Sequence, residues 1–130
     1  VYTDIDGGKI KPFKNKKKTT IINVFDSTCR YCTRQTAELH KLIESYSEEL
    51  SVIGASLSSE AGTRHYMSEN NIDFPVFITS RERLTEDFGP VSAVPTTYVL
   101  DKKGRIYSRY HAFIPSIVLE TDIRAILAEK

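Results

Sequence analysis

Tryptophan is missing from this 130-residue chain, methionine occurs once, at Met67, and there are only two cysteines. Two cysteines are too few to staple a disulfide scaffold, so the fold must be held by a core. The lone methionine and three scattered histidines, His40, His65 and His111, argue against a copper carrier, since Cu(I) sites recruit several soft ligands. No apolar run approaches the roughly 20 residues needed to span a bilayer, and no secretory leader pattern is present. Net charge is +1, which leaves no overall field to draw nucleic acid or an anionic membrane. The run Lys14-Asn15-Lys16-Lys17-Lys18 is the local exception, and it reads as a solvated loop ahead of a buried strand.

The composition is 40% hydrophobic and 27% charged, with no repeat and no linker, which fits one globular domain over residues 1–130. Val1 to Lys11 reads as a hairpin turned by Asp6-Gly7-Gly8. Thr19 to Phe25 is a β-branched run, continuous enough to be buried on both faces. A helix follows from about Cys29 to Tyr46, with Leu39, Leu42 and Ile43 on one face. Leu50 to Leu57 is a second strand, Glu60 to Asn70 a helix, and Phe74 to Ile78 a third strand. Thr79 and Glu82 have capping-box spacing ahead of a short helix with Leu84 and Phe88 inward. Thr96 to Leu100 and Arg105 to Tyr110 flank the turn Asp101-Lys102-Lys103-Gly104. A last helix runs from Ser116 to Ala128, with Leu119, Ile123, Ile126 and Leu127 inward. The order predicts an α/β fold: a parallel central sheet with helices on both faces and antiparallel edge strands from the late hairpin.

Chemistry is concentrated where the strand ending at Phe25 runs through Asp26-Ser27-Thr28 into Cys29-Arg30-Tyr31-Cys32. A Cys-x-x-Cys pair opening a helix holds both sulfurs within bonding reach and leaves the first exposed. Free backbone N–H groups and the positive dipole end favour a thiolate there. A thiolate is the species that attacks disulfides. A buried structural pair and a static disulfide are the plain alternatives. A metal site would need about four ligands, and only these two thiols are grouped.

Three features then converge. They are the Cys29–Cys32 pair between strand and helix, Pro95 opening a strand in Val94-Pro95-Thr96-Thr97, and the order βαβ followed by ββα. Together they resemble the thioredoxin fold, and more narrowly the extracytoplasmic thiol–disulfide oxidoreductases of the TlpA/ResA/CcmG type. The segment 60–78 is similar to the helix–strand insertion of that branch.

The resemblance implies that Cys29 is the nucleophile and that Cys32 resolves the mixed disulfide. It implies a cis Pro95 lying against the sulfurs and Val94 offering backbone hydrogen bonds to an extended substrate. Arg30 and Tyr31 would tune the redox poise. No cofactor beyond the redox-active disulfide and no metal is implied. The implied partners are thiol or disulfide proteins and a membrane electron donor or acceptor, with no nucleic acid, and the protein would be a monomer. Its place would be outside the cytoplasm, with a signal or anchor absent from this chain, and its role that of a reductant as in cytochrome c maturation. The alternatives are an oxidant or isomerase of secreted proteins, and a copper or thiol-metal carrier using the same cysteines.

The sequence departs from the family in places. Phe25-Asp26-Ser27-Thr28 replaces a tryptophan-rich approach, Asn23 stands for a buried aspartate, and Gln35 replaces a glutamate suited to proton transfer. The proton-transfer neighbours are then Asp26, Glu38 and the position of Gln35, whose amide does not titrate. Ala37 stands where a proline is common and Ala112 where a glycine is, and Pro90 reads as a one-residue insertion.

Overall fold

The computed structural model describes residues 2–12 and 18–129, so residues 14–17 of the basic run lie outside the described residues. The chain opens with a small antiparallel pair, β1 (Tyr2–Thr3) and β2 (Lys9–Ile10). Next come β3 (Thr19–Phe25), α1 (Arg30–Ser45), β4 (Leu50–Ser56), α2 (Glu60–Glu69), β5 (Val76–Ile78) and α3 (Arg81–Phe88). β6 (Thr96–Leu100), β7 (Ile106–Tyr110) and α4 (Ser116–Leu127) follow. Most boundaries fall within a residue or two of those expected.

All seven residues of β3 are buried, as a β-branched run between two covered faces requires. The five-stranded sheet has the order β5-β4-β3-β6-β7. β3, β4 and β5 are parallel, β6 runs antiparallel beside β3, and β7 runs antiparallel beside β6. The two-residue alternation of β3 sends Ile21 and Phe25 to one face, into a cluster with Leu39 and Leu42 of α1 and Leu119, Ile123 and Ile126 of α4. Ile22 and Val24 face the other way, toward Leu84 and Phe88 of α3 and Tyr2 of the leading pair. The helices thus cover both faces, and the carboxyl end of β3 points the chain out of the sheet between them.

Four expectations are corrected here. The late hairpin does not form two edge strands. β6 is interior, with all five residues buried, and only β7 is an edge. Thr79 does not cap α3: its N–H still bonds the Ser56 carbonyl at 2.9 Å, so the helix begins one residue later. Ser80 is the cap, its hydroxyl accepting the Arg83 N–H at 3.2 Å. Phe74 and Pro75 lie outside β5, because proline has no N–H for the ladder, although its carbonyl accepts the Gly54 N–H at 2.8 Å. The leading hairpin is shorter than expected for a related reason. Ile5 leaves the pair and donates its N–H to the Val76 carbonyl at 2.8 Å, which covers the outer edge of β5.

Candidate functional site

The site is built from the turn that carries the chain out of β3. One carboxylate oxygen of Asp26 accepts both the Thr28 N–H and the Thr28 hydroxyl, each at 2.9 Å. This is an Asx turn, the local geometry for which aspartate is suited. Asp26 thereby shapes the approach to Cys29. A second support comes from the loop after β4: the Ser27 N–H donates to the Ser58 hydroxyl at 2.8 Å, and that hydroxyl donates to the Ser27 Oγ at 3.0 Å.

Cys29 is the N-cap of α1, and its Sγ accepts the Cys32 N–H at 3.1 Å. No acidic residue occupies the first turn of α1, so nothing there opposes the positive end of the helix dipole. Cys29 and Cys32 are joined as a disulfide, with their Cα atoms 5.2 Å apart. The two sulfurs are not equivalent. Cys32 is 0% exposed, packed in the core beneath α1, whereas Cys29 is only partly buried. Arg30 is exposed, and Tyr31 projects outward with 57% of its surface accessible.

The Val94-Pro95 peptide is cis. Val94, like Cys29, packs against the buried cluster that contains Cys32. The bend before it is pinned by the Thr96 hydroxyl, which donates to the Ala93 carbonyl at 2.5 Å. Tyr31, Val94 and Pro95 line one cavity of about 280 Å³. Its far wall is His111, Ala112 and Phe113, from the segment between β7 and α4. The Arg34 guanidinium spans the two sides, 5.6 Å from the Tyr31 ring and 5.2 Å from the Phe113 ring.

That far wall is tied to α1 by Gln35 and Glu38, two of the three side chains weighed as proton-transfer neighbours. Gln35 is fully buried and its amide clamps one residue on both sides: Nε2 donates to the Ile114 carbonyl and Oε1 accepts the Ile114 N–H, both at 2.9 Å. Glu38 accepts the Ser116 N–H at 2.9 Å, serving as the missing cap of α4, whose own N-cap residue is Pro115. The hydrogen bond from Lys41, at 2.6 Å, and the Ser116 N–H hold the Glu38 carboxyl below its ordinary value. Both side chains thus hold the segment after β7 to α1. Asn23, buried in β3, donates at 3.4 Å to the hydroxyl of Thr97, its register partner on β6.

A prediction follows for Glu38. Its folded-state value lies below the 4.5 of a free side chain, so its contribution to stability is complete above that pH and fades as pH falls through the lowered value. Glu38→Gln is therefore expected to cost about 1 kcal/mol at neutral pH, with the gap closing in acid. Urea midpoints at neutral and acid pH measure it, and an unchanged gap would refute the cap.

His111, read from sequence as a scattered surface histidine, is exposed but lines the cavity. His40 is a different surprise: its Nε2 is buried without a hydrogen-bond partner among the described residues. Arg34 and Phe113 were not singled out by sequence reasoning. Arg34 lies one turn after Tyr31, a spacing that could have drawn attention to it. Phe113 comes from an irregular segment and carries no such mark. Among the described residues, no three His, Cys, Asp or Glu gather into a group that could hold a metal ion.

Comparison with known proteins is consistent with this geometry. A profile described as the AhpC/TSA family matches residues 2–109. The chain is 25% identical over 109 residues to thiol-disulfide oxidoreductase ResA of Bacillus thuringiensis, an alignment covering 82% of this chain and 62% of ResA. It is 28% identical over 95 residues to thioredoxin-like protein YneN of Bacillus subtilis, covering 70% of this chain and 55% of YneN. The chain thus spans less than two thirds of the length of either relative. Among solved structures, a DsbF homologue from Corynebacterium diphtheriae superposes with a TM-score of 0.85 at 21% identity, over 95% of this chain and 82% of that one. That likeness establishes the fold, which is the thioredoxin fold with its added N-terminal strands.

Proposed function

The chain belongs to the AhpC/TSA family, and from that premise we propose that it is a thiol–disulfide oxidoreductase cycling its Cys29–Cys32 pair against protein thiols outside the cytoplasm. The observation that carries this reading is the unequal seating of the two sulfurs at the start of α1: one reachable, one buried, beside an open cavity. In the reduced protein, a thiolate at Cys29 meets the N–H that its sulfur accepts here, at the positive end of a 16-residue helix. The thiolate attacks the substrate disulfide and forms a mixed disulfide, which Cys32 resolves by attacking the Cys29 sulfur. Val94 and Pro95 would steady the substrate strand, and Arg30 and Tyr31 would set the poise of the couple.

We propose a reducing direction, fed by a membrane electron donor, in the manner of cytochrome c maturation. The named thiol-disulfide oxidoreductase relatives support the exchange chemistry, and the direction follows the TlpA/ResA/CcmG-type resemblance. Catalysed reduction of insulin by dithiothreitol, with no metal added, is the direct test. Its absence, together with metal binding that alkylation abolishes, would instead favour a carrier of soft metals. Equilibration with glutathione and thiol trapping then gives the direction. A potential toward the thioredoxin end, about −270 mV, is expected, and a value above about −180 mV would make the protein an oxidant or isomerase.

A further inference from the structure

The sequence holds eight arginines, and six have settled partners. Arg64 and Arg105 and Arg124 pair with carboxylates, Arg81 and Arg109 donate to backbone carbonyls, and Arg83 lies over the Tyr2 ring. Arg30 and Arg34 are the exceptions. Both are exposed, and among the described residues neither meets a carboxylate or a carbonyl oxygen. Arg34 stands at the edge of the cavity described above, over the rings of Tyr31 and Phe113 that line it, and Arg30 lies between Cys29 and Tyr31 in the chain. Of the lining residues themselves, His111 carries the basic side chain. Among the described residues no acidic side chain lines this cavity, and the nearest carboxylates in sequence are occupied, Asp26 by Thr28 and Glu38 by Lys41 and Ser116.

The walls are otherwise apolar and fixed. Val94, Pro95 and Phe113 present hydrophobic surface, and the Gln35 clamp on Ile114 holds the far wall to α1. A guanidinium already held over two rings has less freedom to lose when a carboxylate arrives. We infer that this cavity is the subsite for residues flanking the reactive cysteine of the substrate, and that it selects an extended segment with an apolar side chain next to that cysteine and acidic residues around it. Arg34 is the main specificity-determining residue, and Arg30 supports it. The inference rests on the oxidoreductase reading above and names its substrate class.

The step is ordinary exchange. The Cys29 thiolate attacks the substrate sulfur, the substrate disulfide breaks, and its other sulfur leaves as a thiolate. Cys32 then gives up its proton and attacks the Cys29 sulfur, so the enzyme pair is oxidised to a disulfide and the substrate cysteine leaves reduced. Dithiothreitol supplies the two electrons for the next cycle.

The test uses short capped peptides with one cysteine held as a mixed disulfide with thionitrobenzoate, whose release is coloured. A phenylalanine flanks the cysteine, and the remaining neighbours are either glutamates or lysines. The glutamate peptide is expected to show kcat/KM about fivefold higher than the lysine peptide at low salt, the scale of one or two partly exposed ion pairs. Salt near 0.5 M should remove most of the preference, since it screens charges within a few ångström. Arg34→Glu should erase or reverse the ratio, Arg34→Lys should keep its sign, and Phe113→Ala should reduce the advantage of phenylalanine over glycine next to the cysteine.

Equal kcat/KM for both peptides would overturn this inference and leave the oxidoreductase reading standing. Failure to turn over either peptide or hydroxyethyl disulfide would overturn that reading, and this inference with it. Sedimentation as a dimer, with turnover falling as enzyme concentration rises, would put a second copy in the cavity and also overturn it.

Discussion

Cys29→Ser is expected to reduce insulin turnover to the uncatalysed rate, whereas Cys32→Ser should stop midway with the substrate still attached through Cys29. The asymmetry follows from burial. Cys32 is fully enclosed, so an incoming sulfur can meet only Cys29. A serine hydroxyl in place of Cys29 is not ionised at neutral pH and forms no disulfide, so the first step is lost outright. With Cys32 replaced, the first step proceeds as before. The second then lacks its attacking sulfur, and the adduct accumulates. Non-reducing gels and intact mass on both variants, incubated with a disulfide substrate, would show it. Adducts on Cys29→Ser, with none on Cys32→Ser, would exchange the two roles.

Gly54→Val is expected to lower stability by about 3 kcal/mol, toward the upper end for overpacking a core. A Cβ at this position would stand 3.0 Å from Val76 Cγ2, 3.1 Å from Phe25 Cε1 and 3.3 Å from Phe74 Cε1. None of the three has room to retreat, because all are buried. The backbone cannot withdraw either, since Gly54 is laddered to Asn23 on one side and Val76 on the other. Better strand propensity offsets at most about 1 kcal/mol of this. Urea unfolding measures the result, and a loss below about 1 kcal/mol would show that the sheet can open there. The strain would reach the site through Phe25, the last strand residue before the Asp26 turn.

What was legible in the sequence was local. The run Thr19–Phe25 announces a strand covered on both faces because β-branched residues follow without a polar break, and the structure buries every one of them. The cysteine spacing places both sulfurs at one helix start, which is where they lie. The illegible parts depend on pairings between distant residues. Gln35 looked like a lost proton carrier because its partner, the Ile114 backbone, lies 79 positions away and is not marked by any side chain. The capping role of Glu38 was hidden for the same reason, since an N-cap borrowed from another helix leaves no sequence signature. β6 was placed at an edge because a hairpin usually ends a sheet. Its neighbour across the ladder, β3, lies some 70 residues earlier, and only the fully apolar stretch Tyr98 to Leu100 hinted at an interior position.

The Gln35 clamp has a mechanical consequence. An amide carries the same dipole whether the nearby sulfurs are joined or parted, and acid or base in the physiological range does not alter it. A carboxylate at that position could change its grip with every proton that came or went. The panel bearing Phe113 should therefore keep its distance from the first helix throughout the working cycle, so that a visitor meets one unchanging doorway on arrival and on departure.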